Sequence, residues 1–128
     1  MEWSLRRLVL ADAPILRAAL RGAVTIEDEI GFVSALEAEA GDARGLLLDF
    51  SDADPSALSE DDVIAIADNW KRSRFGNSYP FAAYSTTRAV LPTGRLLLAR
   101  WDPDTFYVVG TEREAIEWLA KRVRHIGT

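Results

Sequence analysis

The sequence predicts an α/β domain of element order ββαβαβαβα, a mixed β-sheet with helices packed on it. Three observations predict it. Short runs that are continuously apolar or rich in aromatic and β-branched residues (GLLLDF, YPFAAYS and TFYVVG) alternate with longer segments of helical periodicity. Three of those longer segments open on a Ser or Thr followed three residues later by an acidic side chain, the spacing of a reciprocal helix cap. Ahead of them, two strand-like runs stand close together, as an opening hairpin would.

The opening strands are WSLRRLVL and ILRAALRG, joined by Ala11, Asp12, Ala13 and Pro14. A proline suits a turn or the first residue of a strand, where its missing N–H is not needed. The first helix lies in VTIEDEIGFVSALEAEAG: Thr25 caps it, Asp28 completes the capping box, and Gly41 stops it. Glu27, Asp28 and Glu29 favour the positive end of its dipole. Its inward stripe is expected to be Ile26, Ile30, Val33 and Leu36, with Ala40. Gly31 costs about 1 kcal/mol against alanine inside a helix, which a close approach to a neighbour would explain.

GLLLDF, apolar throughout, reads as a strand covered on both faces. The second helix runs from Ser59 to Trp70, with Ser59 as cap, Asp62 at the reciprocal position, and Val63, Ile66, Ala67 and Trp70 turned inward. KRSRFGNSY reads as a polar loop, and YPFAAYS and TFYVVG as the last two strands. TEREAIEWLAKRVRH closes the chain as a helix with a Thr111–Glu114 box and Ala115, Ile116, Leu119 and Val123 inward. Lys121, Arg122 and Arg124 suit the negative end of its dipole. The segment TTRAVLPTGRLLLARWDPD has two readings. It forms a helix with Pro92 near its first turn and Gly94 as a weak point, or GRLLLARW pairs with TFYVVG around Asp102, Pro103 and Asp104. The alternation elsewhere calls for a crossover, so the helix is expected.

At 128 residues the chain fits one domain, residues 1–128, with a single core. With 48% apolar and 27% charged residues the composition is that of a globular protein. The chain has no cysteine, which excludes disulfides and thiolate metal sites and fits a reducing compartment. No apolar run approaches the roughly 18 residues that cross a bilayer. The opening MEWSLRRLVLADAP lacks a basic-then-apolar signal arrangement, so a cytoplasmic protein without a transmembrane segment is expected. Net charge is −5, unevenly placed: residues 1–64 hold 5 basic and 14 acidic side chains, residues 65–128 hold 10 and 6. The acidic excess opposes a phosphate backbone, so nucleic acid is not an expected partner.

The acidic stretch GLLLDFSDADPSALSEDD raises the question of a metal or phosphoryl site. LLLDFSDAD resembles the nucleophile strand of haloacid-dehalogenase-type phosphatases, but the second aspartate that such a strand needs is Ser51 here. A receiver-type phospho-acceptor at Asp49 needs an acidic pair after the first strand and a lysine after the last. The sequence offers Asp12 near the first place and Gly110-Thr111 near the second. A magnesium site needs convergent oxygens, which Asp49, Asp52 and Asp54 supply only if the loop curls back. The simpler reading is that Asp49 accepts loop N–H bonds while Asp52 and Asp54 stay in water. No metal and no cofactor is expected. His125 is the only histidine, at the end of the last helix, and no GxGxxG or GxxxxGK[ST] loop occurs, so neither a nucleophilic triad nor a phosphate loop is complete. Lys71, Arg72 and Arg74, with Trp70 and Phe75, form a candidate anion-binding aromatic patch, whose simpler reading is a solvated helix end. Trp3, Trp101 and Trp118 read as partial core or subunit contact.

Three stretches carry a family resemblance. GAVTIEDEIGFVSALEAEA, GLLLDFSDAD and FYVVGTEREAIEWLAKRV, with its Ala115-Ile116-Glu117-Trp118-Leu119 pattern, resemble in order the SpoIIAA-like proteins, the group related to the STAS and SEC14 folds. The resemblance implies a non-enzymatic domain. STAS regulators carry an Asp-Ser-Ser-Gly-type loop whose serine is phosphorylated. Here the region reads Pro55-Ser56-Ala57-Leu58-Ser59-Glu60-Asp61-Asp62, and Ser59 is its counterpart, without a flanking glycine. A phosphate on Ser59 would meet three carboxylates at once, whereas a plain cap meets no such conflict. The expectation is a binding domain acting on a protein partner or as a homodimer, with Asp49, Ser59, Trp70, Arg72 and Arg74 as candidate interaction residues. SEC14 kinship makes a small apolar ligand or lipid the alternative, with Leu91 to Trp101 as a flap. An Asp49-dependent phosphoryl-transfer enzyme is the third.

Overall fold

A computed structural model describes residues 1–87, 91–98 and 104–126, apart from the side chains of residues 76, 77, 91, 94, 97, 98 and 124–126. The elements in chain order are β1 (Glu2–Leu10), β2 (Ala13–Ala23), α1 (Ile26–Glu39), β3 (Leu46–Asp54), α2 (Glu60–Lys71), α3 (Arg74–Asn77), β4 (Phe81–Tyr84), α4 (Leu91–Leu98), β5 (Phe106–Val109) and α5 (Glu112–Ile126). The five strands form one sheet in sequence order. β1 pairs antiparallel with β2, and β2, β3, β4 and β5 run parallel. The expected mixed α/β order is present, with the crossover segment helical over Leu91–Leu98. Trp101, Asp102, Pro103 and the side chains of Arg124 and His125 lie outside the described residues. None of the described helices is long and apolar enough to cross a membrane.

Crossovers between successive parallel neighbours are right-handed, so a sheet built in one direction collects its crossover helices on one face. The larger core therefore lies between the sheet and α1, α2 and α3, around Phe32, Leu36, Ile66, Trp70 and Phe75. An aromatic chain runs through it: Trp70 stacks on Phe81 at 4.7 Å, Phe81 meets Phe106 at 4.3 Å, and Phe32 meets Trp70 edge-on at 6.1 Å. Among the described residues only α5 covers the other face, where Ala115, Leu119 and Val123 pack on Ile15, Leu47 and Ala82. α5 sits close because position 45 is glycine: a Cβ there would lie 2.8 Å from Val123 Cγ1 and 3.2 Å from Leu119 Cδ1.

The caps form as expected. Thr25 Oγ1 accepts from the Asp28 N–H at 3.1 Å, and Ser59 Oγ from the Asp62 N–H at 3.1 Å, each with the carboxylate returning to the cap's own N–H. Gly41, at φ +52°, ends α1 in a conformation that favours glycine.

Four details differ from expectation. Only Ala11 and Asp12, at φ +50° and +65°, make the hairpin turn, and Pro14 stands inside β2 opposite Val9. A two-residue loop flanked by the bonded pair Leu10 and Ala13 leaves the Val9–Pro14 pair non-bonded, so the ladder loses nothing at the proline. β3 does not end near Phe50 but runs to Asp54, because β2 follows it past a bulge between Ala19 and Arg21 and pairs again at residues 52–54. The polar loop after α2 contains α3, whose Phe75 is fully buried. Ile30, expected inside, is 46% exposed, while Glu29 is 7% exposed. The stripe that docks α1 is Glu29, Phe32, Val33 and Leu36, a helical spacing that turns Ile30 outward.

Candidate functional site

Between the sheet and its helical layer lies an apolar pocket of about 70 Å³. β2 contributes Leu20, β3 contributes Leu48 and Ala53, and β4 contributes Ala83 to its floor. α2 supplies Val63, Ile66 and Trp70 to the wall, α1 supplies Glu29, and α4 places Thr93 over it. The rim is half-buried: Phe50, Pro55, Leu58 and Thr93. Glu29 and Thr93 are the polar side chains of this lining. Burial pushes the Glu29 carboxyl above its usual range, the Trp70 indole opposes this by donating to Oε1 at 3.0 Å, and the Asp28 charge adds to the rise. A cavity of about 150 Å³ holds a benzene ring. This one is half that, so an occupant larger than a few heavy atoms requires the pocket to widen. α4 packs on α2 and β5, and Gly94 inside it weakens the helix.

The opposite face carries a polar cluster. Arg17 of β2 donates to the Tyr84 hydroxyl at 2.7 Å and to Glu112 at 3.2 Å, and it lies 3.7 Å from Asp49. The Tyr84 hydroxyl donates to Glu112 Oε2 at 2.5 Å. Burial, and then this hydrogen bond, push the Tyr84 hydroxyl above its ordinary value, while the Tyr84 and Arg17 donors hold Glu112 below its own. Every member is occupied by another, and the set ties the start of α5 to three strands.

The candidate residues from the sequence scatter over the molecule. Asp49 belongs to this polar cluster, and its Oδ1 accepts from the Ser51 N–H at 2.9 Å. Asp52 and Asp54 are exposed, and Asp54 accepts from the Ser56 N–H at 3.0 Å. Among the described residues no three metal-ligating side chains converge. Ser59 caps α2, ahead of Glu60, Asp61 and Asp62. Trp70 is buried and lines the pocket. Arg72 is exposed at the end of α2, and Arg74 donates to the Gly41 carbonyl at 2.6 Å and lies over the Tyr79 ring. Trp70 and Phe75 point into the core, so the structure does not join them with these arginines in one patch. Trp3 is 39% exposed against Phe32, and Trp118 stacks on Tyr107 at 5.5 Å. Sequence reasoning missed Glu29, Arg17, Tyr84 and Glu112. For Glu29 a signal existed: a charged residue at the spacing of Phe32, Val33 and Leu36.

No family model and no curated protein matches the sequence. A solved structure matches the fold: an uncharacterised protein of the DUF3478 family from Shewanella loihica PV-4, with a SpoIIAA-like fold. It superposes with a TM-score of 0.62 at 18% identity, over 91% of this chain and 93% of its own. Identity at that level speaks to architecture, and the architecture agrees with the resemblance carried by the three sequence stretches. The chain has a SpoIIAA-like fold.

Proposed function

We propose that this chain is a non-enzymatic binding domain whose site is the pocket beneath α4, and that it holds a small apolar molecule there, in the manner of the SEC14-related folds. The observation that supports this is the pocket's lining, apolar apart from Glu29 and Thr93 and covered by a short helix. Apolar cavities bind apolar ligands because water gains little inside them. The Asp49 region supports chemistry less well, since its carboxylate is engaged by Arg17 and Ser51. A chain without cysteine that binds rather than reacts suits the cytoplasm.

Native mass spectrometry of the purified protein, with a titration of the Trp70 indole resonance by ethylbenzene, tests the reading. A bound apolar mass, or a saturable shift lost when Ala83→Leu fills the pocket, supports it. A clean apo mass together with no shift overturns it.

A second reading, a protein partner or a second copy, is favoured by a different observation. β1 is an edge strand, and Trp3, Val9 and neighbouring Ile30 are exposed at 39%, 76% and 46%. Light scattering across a concentration series, compared with Val9→Lys, tests the self-association arm, and a monomer throughout removes it.

A further inference from the structure

Glu29 is the charged group buried in the larger core, and its two carboxyl oxygens are not equivalent. Oε1 accepts the Trp70 indole N–H at 3.0 Å, which satisfies a buried donor that needs a partner. Among the described residues none donates a hydrogen bond to Oε2. It is not sealed either, because among the described residues no fully buried side-chain oxygen or nitrogen lacks a partner. Glu29 lines the pocket and the indole takes Oε1, so Oε2 is the carboxyl oxygen left to meet an occupant. An acceptor for Trp70 alone could be an amide or a hydroxyl, which need not be neutralised to be buried as a carboxylate must.

We propose that Glu29 Oε2 is the recognition point of the pocket, taking a ligand with a compact apolar body and one hydrogen-bond-accepting oxygen, that of a neutral carbonyl. The inference rests on the pocket reading above and adds the ligand's polar chemistry to it. The logic is one of donors and acceptors. Burial favours the neutral carboxyl. Because the indole N–H occupies Oε1, that oxygen plays the carbonyl part and the proton sits on Oε2. A carboxyl O–H aimed into an apolar space selects an acceptor and leaves a pure hydrocarbon unrewarded. Thr93 stands on the short helix α4 and Glu29 on the longer α1, so Glu29 sets the orientation.

The test uses the full chain and a matched probe pair, ethylbenzene and acetophenone, which differ by a methylene replaced by a carbonyl. The readout is the ratio of acetophenone to ethylbenzene affinity, which cancels general changes in the pocket. Glu29→Met should lower that ratio about tenfold or more, the worth of one buried hydrogen bond. Glu29→Gln, which keeps both a donor and an acceptor for Trp70, should leave it within about twofold. The Trp70 indole resonance checks that each variant is folded. Should Glu29→Met fail to fold, the wild-type chain still decides: the Glu29 carboxyl carbon resonance should move further with acetophenone than with ethylbenzene, which shares its ring but lacks the carbonyl. Both probes bound, with a ratio or a resonance indifferent to the carbonyl, overturns the inference and leaves the pocket standing. Neither probe bound by wild type overturns both.

Discussion

Replacing Glu29 by glutamine keeps an acceptor for the Trp70 indole and removes one titrating proton, so the two proteins differ in a single electrostatic quantity. Burial is the largest influence on this carboxyl and raises its folded value above the ordinary 4.5; the indole N–H opposes the rise and Asp28 adds to it. The native state therefore holds the Glu29 proton more tightly than the unfolded chain does. Its contribution to stability is fully present below about pH 4.5 and is lost as pH climbs through the folded value. One proton changes stability by at most about 1.4 kcal/mol per pH unit inside that window. Urea unfolding of wild type and Glu29→Gln from pH 4 to 8, followed by tryptophan fluorescence, gives the difference directly. Repulsion among the other acidic groups is common to both proteins and cancels. Glu29→Gln should gain on wild type as pH rises and then run parallel to it, the break marking the folded value. Parallel curves over the whole range would mean that the carboxyl ionises as easily folded as unfolded. Oε2 would then be wet, and the dry pocket assigned to it would not exist.

Three further outcomes are expected. Phe81→Ala removes a fully enclosed ring held between Trp70 and Phe106 and should cost about 3–5 kcal/mol by chemical denaturation, with loss of the Trp70 environment in near-ultraviolet circular dichroism. Gly45→Ala places a methyl 2.8 Å from Val123 Cγ1, 3.2 Å from Leu119 Cδ1 and 3.4 Å from the Pro80 carbonyl, so α5 must lift; about 1–3 kcal/mol is expected, with faster amide exchange along α5. Ser59→Ala removes one cap hydrogen bond and should lower the unfolding free energy by about 1 kcal/mol, whereas Ser59→Thr, which keeps the hydroxyl cap without adding a charge beside Glu60, Asp61 and Asp62, should restore most of it.

What the sequence makes legible here is what acts over three or four residues. Ser59 with Asp62 and Thr25 with Asp28 are complete within one turn, and the α2 stripe of Val63, Ile66, Ala67 and Trp70 is unbroken by a rival. α1 offers two stripes, one through Ile30 and one through Glu29, and hydrophobicity alone chooses the wrong one. The choice is made by Trp70, 41 residues away, whose indole needs an acceptor, and by Phe32, which is fully buried on the same stripe. β3 fails for a related reason. Ser51, Asp52 and Asp54 have loop-like side chains, but the backbone partner in β2 continues beside them past the bulge. Phe75 was hidden in a polar run, where nothing local shows that its ring is buried in the core.

The pocket was beyond that range altogether, because no two neighbours in sequence define it. Yet its composition argues that the space is maintained and not left over. Ala53 and Ala83 line it among large aromatic and aliphatic side chains, and one or two added methylenes at either position would close much of about 70 Å³. Filling an apolar void stabilises a core by burying more surface and restoring lost contacts. A core selected for stability alone would therefore close the void and put beside Trp70 an acceptor that does not titrate. This one does neither: it keeps two alanines lining the void and a carboxyl on the wall, both at a cost to the empty protein. Costs of that kind persist where an occupant offsets them, which is why the proposed site is the pocket and not the engaged cluster around Arg17 and Asp49.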